Sequence, residues 1–592
     1  MKTNLPALIQ IDHNQLTLKR IASQKVNKPI HASQPGLVGI LLFVLAVFPL
    51  ASYAESPLKK HPSAYLALHA DDPVDWKLWS AEILNKAQQQ NKPIFISSGY
   101  FACHWCHVMH QENYKHPLVA DLINRHYIAV KVDRELTPDL DDYLLNRLRQ
   151  ATGQAGWPLH VILTPDGHSF SGFVYQPTET LLQTLTIINH WWQTQAETIT
   201  ALAAPAKETA QQNQTLTRSE LANEISQSLP TILDSFDGGL QAIQKFPHSP
   251  LIKYLLLHKN NQQDTLDWLV LTLEQMQTEH LYDHIHHGFF RYTVDPNWQE
   301  PHFEKMLYDN AQLAEVFFIA ADRFNRSDFL VTAQNTLSYI ETELISTLTG
   351  LARASQSALD HKGEDGGRYL WSNQQLLTQL SQQDYKLVNQ AWLLENPAPF
   401  SRGWLPKPLN HARWPNIQQQ LSHRPSLTDD KKLLSWNGLL LSAYARGFAT
   451  TQNPDYALGA SEISARLIRL LQQTNPPRAV NDQGEIFGQA TLEDYAYSLA
   501  GLRLWQEVSG LNYQKWIDSL TQQAEQAFYN QQRWLASSES LLPGQQGLAN
   551  LPDLATPSAS AIMNCTKESS IQLQPGLQAW QYASYLTYQG CQ

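Results

Sequence analysis

The chain has 592 residues, with 43 Lys+Arg against 54 Asp+Glu and a formal net charge of −11. Its 43% hydrophobic and 10% aromatic content is too high for a disordered chain. The length supplies several full cores, which excludes a disulfide-stapled miniature, and the acidic balance excludes a non-specific nucleic-acid binder, which needs basic patches.

Residues 1–54 stand apart. Lys2, Lys19, Arg20, Lys25 and Lys28 face a single acid, Asp12, ahead of an uncharged apolar run at 36–50 and then Ala51-Ser52-Tyr53-Ala54. Ser52 and Ala54 fit the small-residue positions of a signal peptide cleaved before Glu55. Read through to Ala54, the same run fits a tilted transmembrane anchor. Either way the expectation is export. The basic side stays in the cytoplasm, and the body faces a periplasmic or other extracytoplasmic space, secreted or tethered to the inner membrane. Without this segment the body carries a charge of about −15.

From Asp75 onward the pattern is α/β. Residues 76–90 have helical spacing, and Ile94-Phe95-Ile96-Ser97-Ser98 is strand-like. A helix starts near Cys103, a second strand occupies 127–132 and ends at Asp133, and a third spans 159–163. The turn Thr164-Pro165-Asp166-Gly167 then leads into a hairpin-prone strand. Residues 193–220 nearly lack large apolar side chains and read as a solvated helix or linker. They divide a domain at 55–192 from one at 221–592. In the second domain apolar residues recur at helical spacing, as at 270–277, 311–323, 439–448, 462–471 and 495–507, which predicts an all-α fold of helical hairpins.

Cys103-His104-Trp105-Cys106 sits between a predicted strand and helix. A thiolate at a helix N-terminus is stabilised by free backbone N–H groups and the helix dipole. Cys103 is therefore expected to be the exposed attacking sulfur and Cys106 the resolving one. With His107 the string is also a haem-attachment pattern. His107 and His110 could complete a zinc set with the two cysteines, and an inert buried thiol pair is the bland alternative. The strand–CxxC–helix context favours redox chemistry with a protein dithiol or disulfide partner, without a cofactor. Trp157-Pro158 precedes the third strand, where a proline in a thioredoxin-like fold lies beside the CxxC and helps hold substrate together with Trp105 and Trp157.

Several motifs together resemble the spermatogenesis-associated protein 20 family, including its bacterial YyaL-like members. They are Pro73-Val74-Asp75-Trp76, Lys92-Pro93-Ile94-Phe95, Cys103-His104-Trp105-Cys106-His107-Val108-Met109, Val132-Asp133-Arg134-Glu135 and Gly156-Trp157-Pro158. Further along come Lys245-Phe246-Pro247, Tyr282-Asp283-His284, Pro301-His302-Phe303-Glu304-Lys305-Met306-Leu307-Tyr308-Asp309-Asn310-Ala311-Gln312 and Trp436-Asn437-Gly438-Leu439. The resemblance implies a multidomain chain, an α/β thioredoxin-like domain followed by an all-α (α/α)6 toroid of the six-hairpin glycosidase type, similar in shape to sugar epimerases. Relatives carry Glu-Asp-Ala-Asp-Ser where this chain reads Ser355-Gln356-Ser357-Ala358-Leu359-Asp360, so two carboxylates are missing.

The toroid's connecting segments hold candidates for carbohydrate chemistry. A glycosidase needs two carboxylates across a cavity, available among Asp283, Glu304, Asp309, Asp429, Asp430, Glu493 and Asp494. A sugar epimerase would use histidines such as His248, His284 and His302. Trp298, Trp371, Trp404 and Trp436 are candidate stacking platforms, with His248, Trp436 and Asp430 expected to bind substrate. Each carboxylate has a plainer reading as a helix cap or ion pair. Cys565 and Cys591 could pair as a structural disulfide in an oxidising compartment.

Overall fold

The computed structural model describes residues 56–203 and 214–588, apart from 260, 531–532, 539, 544, 546–550, 565–569 and 575. Residues 1–54 and the Cys565–Cys591 pair lie outside the described residues. Among the described residues no helix is long and apolar enough to cross a membrane.

The amino-terminal domain is a four-stranded sheet in the order β2-β1-β3-β4, built from β1 (Ile94–Gly99), β2 (Ile128–Asp133), β3 (Leu159–Leu163) and β4 (Ser169–Phe173). β1 pairs parallel with β2 and antiparallel with β3, and β3 and β4 form the expected hairpin. Alternation along the strands divides the core. Ile94, Ile96, Val130 and Val132 pack with helices α1 (Ala81–Gln90) and α4 (Pro138–Thr152). Phe95 and Ala129 join the opposite layer with α2 (His104–Met109), α3 (Pro117–His126) and α5 (Thr178–Ala203). The helix expected from residue 76 begins only at Ala81, because Lys77 forms a parallel bridge to Val130 and extends the sheet. Residues 193–203 complete α5, which is kinked at Gln195.

The carboxyl-terminal domain is a closed ring of helices. Its inner members are α7 (Ser249–Leu257), α9 (Leu307–Phe324), α14 (Leu434–Thr451), α16 (Leu492–Ser509), α18 (Ala559–Met563) and α19 (Ser584–Thr587). Each packs on the next, and α19 returns to α7. Outside them lie α6 (Arg218–Ile232), α8 (Gln263–Thr278), α10 (Ser327–Tyr339), α15 (Pro454–Leu471) and α17 (Gln514–Phe528). Between α10 and α14 the helices α11 (Asn373–Gln379), α12 (Gln382–Trp392) and α13 (Trp414–Leu421) contribute to a satellite core around Leu376 and Ile417. The sequence encodes the two layers. Outer α17 buries Ile517, Leu520, Ala524 and Phe528 at helical spacing, whereas inner α9 is buried at every position from Leu307 to Ala321.

Close packing of the inner helices depends on glycine. A Cβ on Gly438 of α14 would meet the Ser498 nitrogen and the Tyr497 carbonyl carbon of α16 at 2.6 Å. Gly438→Ala is therefore expected to cost about 1–3 kcal/mol by overpacking. Thermal unfolding checks this, as a fall of several degrees in Tm.

Candidate functional site

The amino-terminal domain sits where the chain enters the inner helices. Glu304 precedes α9 and Lys431 precedes α14, and each reaches across to the other domain, while Arg478 does so from the strand Pro477–Val480. The CxxC lies in this interface.

Cys103 and Cys106 are joined as a disulfide. Cys103 caps α2, its sulfur accepting the Cys106 N–H at 3.1 Å. The expectation of an exposed attacking sulfur does not hold. Cys103 is 2% and Cys106 3% exposed, while Trp105 between them is 41% exposed. The ring covers the pair: the Ala358 N–H faces the Ala102 carbonyl, and Glu304 lies over the start of α2. The zinc set does not assemble either. His107 Nε2 lies 2.7 Å from the Phe101 carbonyl, and His110 Nε2 lies 2.7 Å from Asp72.

Glu304 is the central contact. Its carboxylate accepts the Tyr100 hydroxyl at 2.7 Å and the His104 backbone N–H at 3.3 Å. An acid of the ring therefore occupies the helix N-terminus that would otherwise favour a Cys103 thiolate. Burial pushes the Glu304 carboxyl up, but His302, the Arg291 guanidinium and the Tyr100 hydroxyl outweigh it and hold it at about 2. His302 Nδ1 lies 3.8 Å and Arg291 3.5 Å from the carboxylate.

Arg291 donates to the Tyr100 and Tyr308 hydroxyls and lies 5.3 Å from the Trp157 ring centroid. Arg134 covers the same indole at 3.9 Å, and the indole N–H donates to Asp141 at 3.0 Å. The Trp157-Pro158 bond that follows is cis. Asp309, 4% exposed, is driven well above the usual carboxylate range by burial, with Arg291 opposing and Glu304 adding to the rise. Their surroundings thus push the two carboxyls in opposite directions, Glu304 down and Asp309 up. A cavity of about 410 Å³ lies nearby in the interface, lined by Asp142 and Arg147 from one domain and Glu493, Tyr497 and Ser558 from the other. Burial and the neighbouring Asp141 push Asp142 up to about 8.

Half-buried rings link the two domains. His104 meets His302 at 6.1 Å, His302 stacks on Tyr292 at 4.5 Å, and Tyr292 stacks on Phe246 at 4.6 Å. His248 follows at 6.2 Å, with Trp580 beyond it at 5.1 Å. Trp105 stands at the other end, 5.2 Å from His104.

The remaining candidates are placed elsewhere. Asp283 is buried with Lys305 at 2.7 Å and His286 at 3.1 Å. Burial raises it, but those two partners hold it well below the carboxylate range. Lys305 therefore pairs with Asp283 rather than with Glu304 at the surface. Trp436 is buried edge-on against Tyr308, and Trp298 and Trp371 are buried as well. The Asp430 carbonyl accepts from Lys432. Its neighbour Asp429 joins the interdomain cluster, in which Lys431 lies 2.7 Å from Asp133, 2.8 Å from Glu135 and 3.1 Å from Asp429. Sequence reasoning missed Tyr100, Asp141, Arg291 and Tyr308 as site residues. Arg134 stood within the motif Val132-Asp133-Arg134-Glu135, the one signal that could have found it.

Residues 55–211 match the Thioredox_DsbH family, described as a protein of unknown function, DUF255. The chain is 29% identical over 562 residues to human spermatogenesis-associated protein 20, covering 79% of this chain and 70% of that protein. It is 30% identical over 468 residues to the rat protein, covering 67% and 59%. An uncharacterised Caenorhabditis elegans protein, B0495.5, is 35% identical over 289 residues, and the chain spans only 40% of its length. Among solved structures, cellobiose 2-epimerase from Bacillus thermoamylovorans B4167 aligns with 56% of this chain and 77% of its own at 10% identity and a TM-score of 0.38. A D-mannose isomerase aligns with 59% and 80% at 12% identity and a TM-score of 0.38. Likenesses this distant speak to neither activity nor substrate. With its motifs, its two domains and these relatives in view, the chain is similar over most of its length to spermatogenesis-associated protein 20, with a part that matches Thioredox_DsbH joined to a helical ring.

Proposed function

We propose that this chain is a thiol–disulfide oxidoreductase of an extracytoplasmic, oxidising compartment, reached through residues 1–54, in which the ring covers and tunes the CxxC. The observation that carries this reading is the Glu304 carboxylate accepting the His104 N–H at the start of α2. A negative charge there disfavours a Cys103 thiolate and places the pair among the harder-to-reduce disulfides. The substrate is a protein dithiol or disulfide that approaches beside exposed Trp105 and the row of half-buried rings. Equilibration of the full chain with glutathione, together with an insulin-reduction assay, tests the reading. A disulfide that exchanges with neither partner overturns it.

A second reading is supported by Glu304 and Asp309. Environments that push two carboxyls apart, one down and one up, suit acid–base chemistry on a carbohydrate. On this reading the thioredoxin-like domain is a docking module. Binding and turnover of a panel of oligosaccharides by the full chain, lost in Asp309→Asn, is the expected result. No binding and no turnover removes the reading.

A further inference from the structure

Tyr65 lies on the single helical turn Ala64–Ala67, is 1% exposed, and has a hydroxyl without a hydrogen-bond partner. A buried hydroxyl left unpaired is costly and calls for an explanation. Its position supplies one. A Cβ on Gly99 would run into the Tyr65 hydroxyl and would meet Cys106 Sγ at 2.8 Å, so oxygen and sulfur flank the same point and only a glycine leaves room for both. Behind the ring, the buried Lys131 amine, pulled down to about 7 by burial with Asp72 opposing, lies 5.1 Å from the Tyr65 centroid and donates to Ser97 Oγ at 3.0 Å. In its charged form Lys131 puts a cation on the face of the phenol, which strengthens its O–H as a donor. In the disulfide neither sulfur is charged, and Tyr65 has nothing to donate to.

We propose that Tyr65 is the hydrogen-bond donor to the Cys106 sulfur once the disulfide opens, a role that rests on the thiol–disulfide reading above. A thiolate of a dithiol substrate attacks Cys103 Sγ. A new S–S bond forms there, the Cys103–Cys106 bond breaks, and its electron pair leaves on Cys106 Sγ, which accepts the Tyr65 O–H. The proton stays on the phenol oxygen: burial, with Tyr114, Asp133, Asp141 and Asp72 adding to it, drives that group well above its ordinary value. The substrate's second thiolate then attacks its own first sulfur and releases Cys103 as a thiolate. The substrate leaves oxidised to a disulfide, and both cysteines are reduced. The charged and titratable groups around Tyr65 and the pair include Lys131, Tyr114, Asp133, Asp141 and Asp72 in the same domain, His104 and His107 on α2, and Glu304 and Asp365 from the ring.

The test uses the full chain. Tyr65→Phe removes only the hydroxyl. Its expected effect is a reduced form about tenfold less favoured against glutathione, which is about 30 mV more negative. In a Cys103→Ser background, the Cys106 thiolate absorbance should titrate about one unit higher when Tyr65→Phe is added. Equal equilibrium constants and equal titrations overturn the proposal. A third measurement does not depend on how Tyr65→Phe folds. With Tyr65 intact, Cys103→Ser should show Cys106 titrating at or below the ordinary thiol value of about 8.5 despite its burial, and a value well above that overturns the proposal. A wild-type disulfide that fails to exchange with glutathione sinks the oxidoreductase reading, while the Cys106 titrations still decide the role of Tyr65.

Discussion

Glu304→Gln makes the reduced Cys103 thiol about tenfold more reactive at pH 7 and lowers its apparent pKa by about one to two units. The measurement is the pH profile of alkylation of reduced protein, wild type against variant. The substitution removes the charge and leaves one acceptor oxygen, which keeps either the Tyr100 hydroxyl or the His104 N–H while the amide NH2 faces the other. That charge is present throughout the working range, because the carboxyl is held at about 2. At an effective dielectric near 20, a unit charge within several ångströms of another is worth on the order of 3 kcal/mol. Arg291, 3.5 Å from the carboxylate, cancels part of that, which brings the expectation down to one or two units. The disulfide should become easier to reduce in parallel, since a better-stabilised thiolate favours the reduced form. Superimposable pH profiles would show that the ring does not act on the CxxC. The same depressed carboxyl has a stability consequence. Its contribution is complete above its unfolded value near 4.5 and is lost as the pH falls toward 2.

Much of this arrangement can be read in one dimension, and the unreadable part has a single cause. The strand–CxxC–helix string names α2, and local spacing names α9, α14 and α16, because helices and strands follow from periodicity within a window of residues. The exposure of Cys103 is a different kind of property. Nothing near residue 103 encodes that Glu304, some two hundred positions away, will lie on it. The helix N-terminus that predicts a reactive thiolate is the same feature that attracts the ring's carboxylate. Glu304 itself was legible as a candidate acid, but for chemistry inside the ring; its link to the CxxC is a tertiary fact. Asp283 shows the converse. It reads as a catalytic carboxylate until buried Lys305 and His286 account for it. Arg291 left no mark, because a lone arginine in a loop is commonplace, and Tyr308 stood in the motif at residues 301–312 without a role that its neighbours in sequence could give it.

Lys431→Met should break the contact between the domains. The ammonium is fully buried between Asp133 and Glu135 of one domain and Asp429 of the other, each no more than 3% exposed. Removing it strands three buried carboxylates, at a cost of about 3–5 kcal/mol. The expected calorimetric result is that the thioredoxin-like domain melts separately from the ring at a lower temperature. Reduction of Cys103–Cys106 by a soluble dithiol should speed up as the cover lifts. The variant's pH dependence has a definite sign. Burial raises Glu135, Lys431 opposes that, and Asp133 and Asp429 add to it, leaving Glu135 at about 7 even with the cation present. A carboxyl with a folded pKa above its unfolded value of 4.5 binds protons preferentially in the native state between those values. Stability of Lys431→Met should therefore recover as the pH falls from 8 toward 5, where protonation removes the charge that lost its partner. A loss that deepens with acid over that range would mean that the cation matters for something other than these three carboxylates. A variant that melts as one unit at the wild-type temperature would mean that the domains are held together by their apolar contacts and that the ring's cover over the disulfide does not depend on this lock.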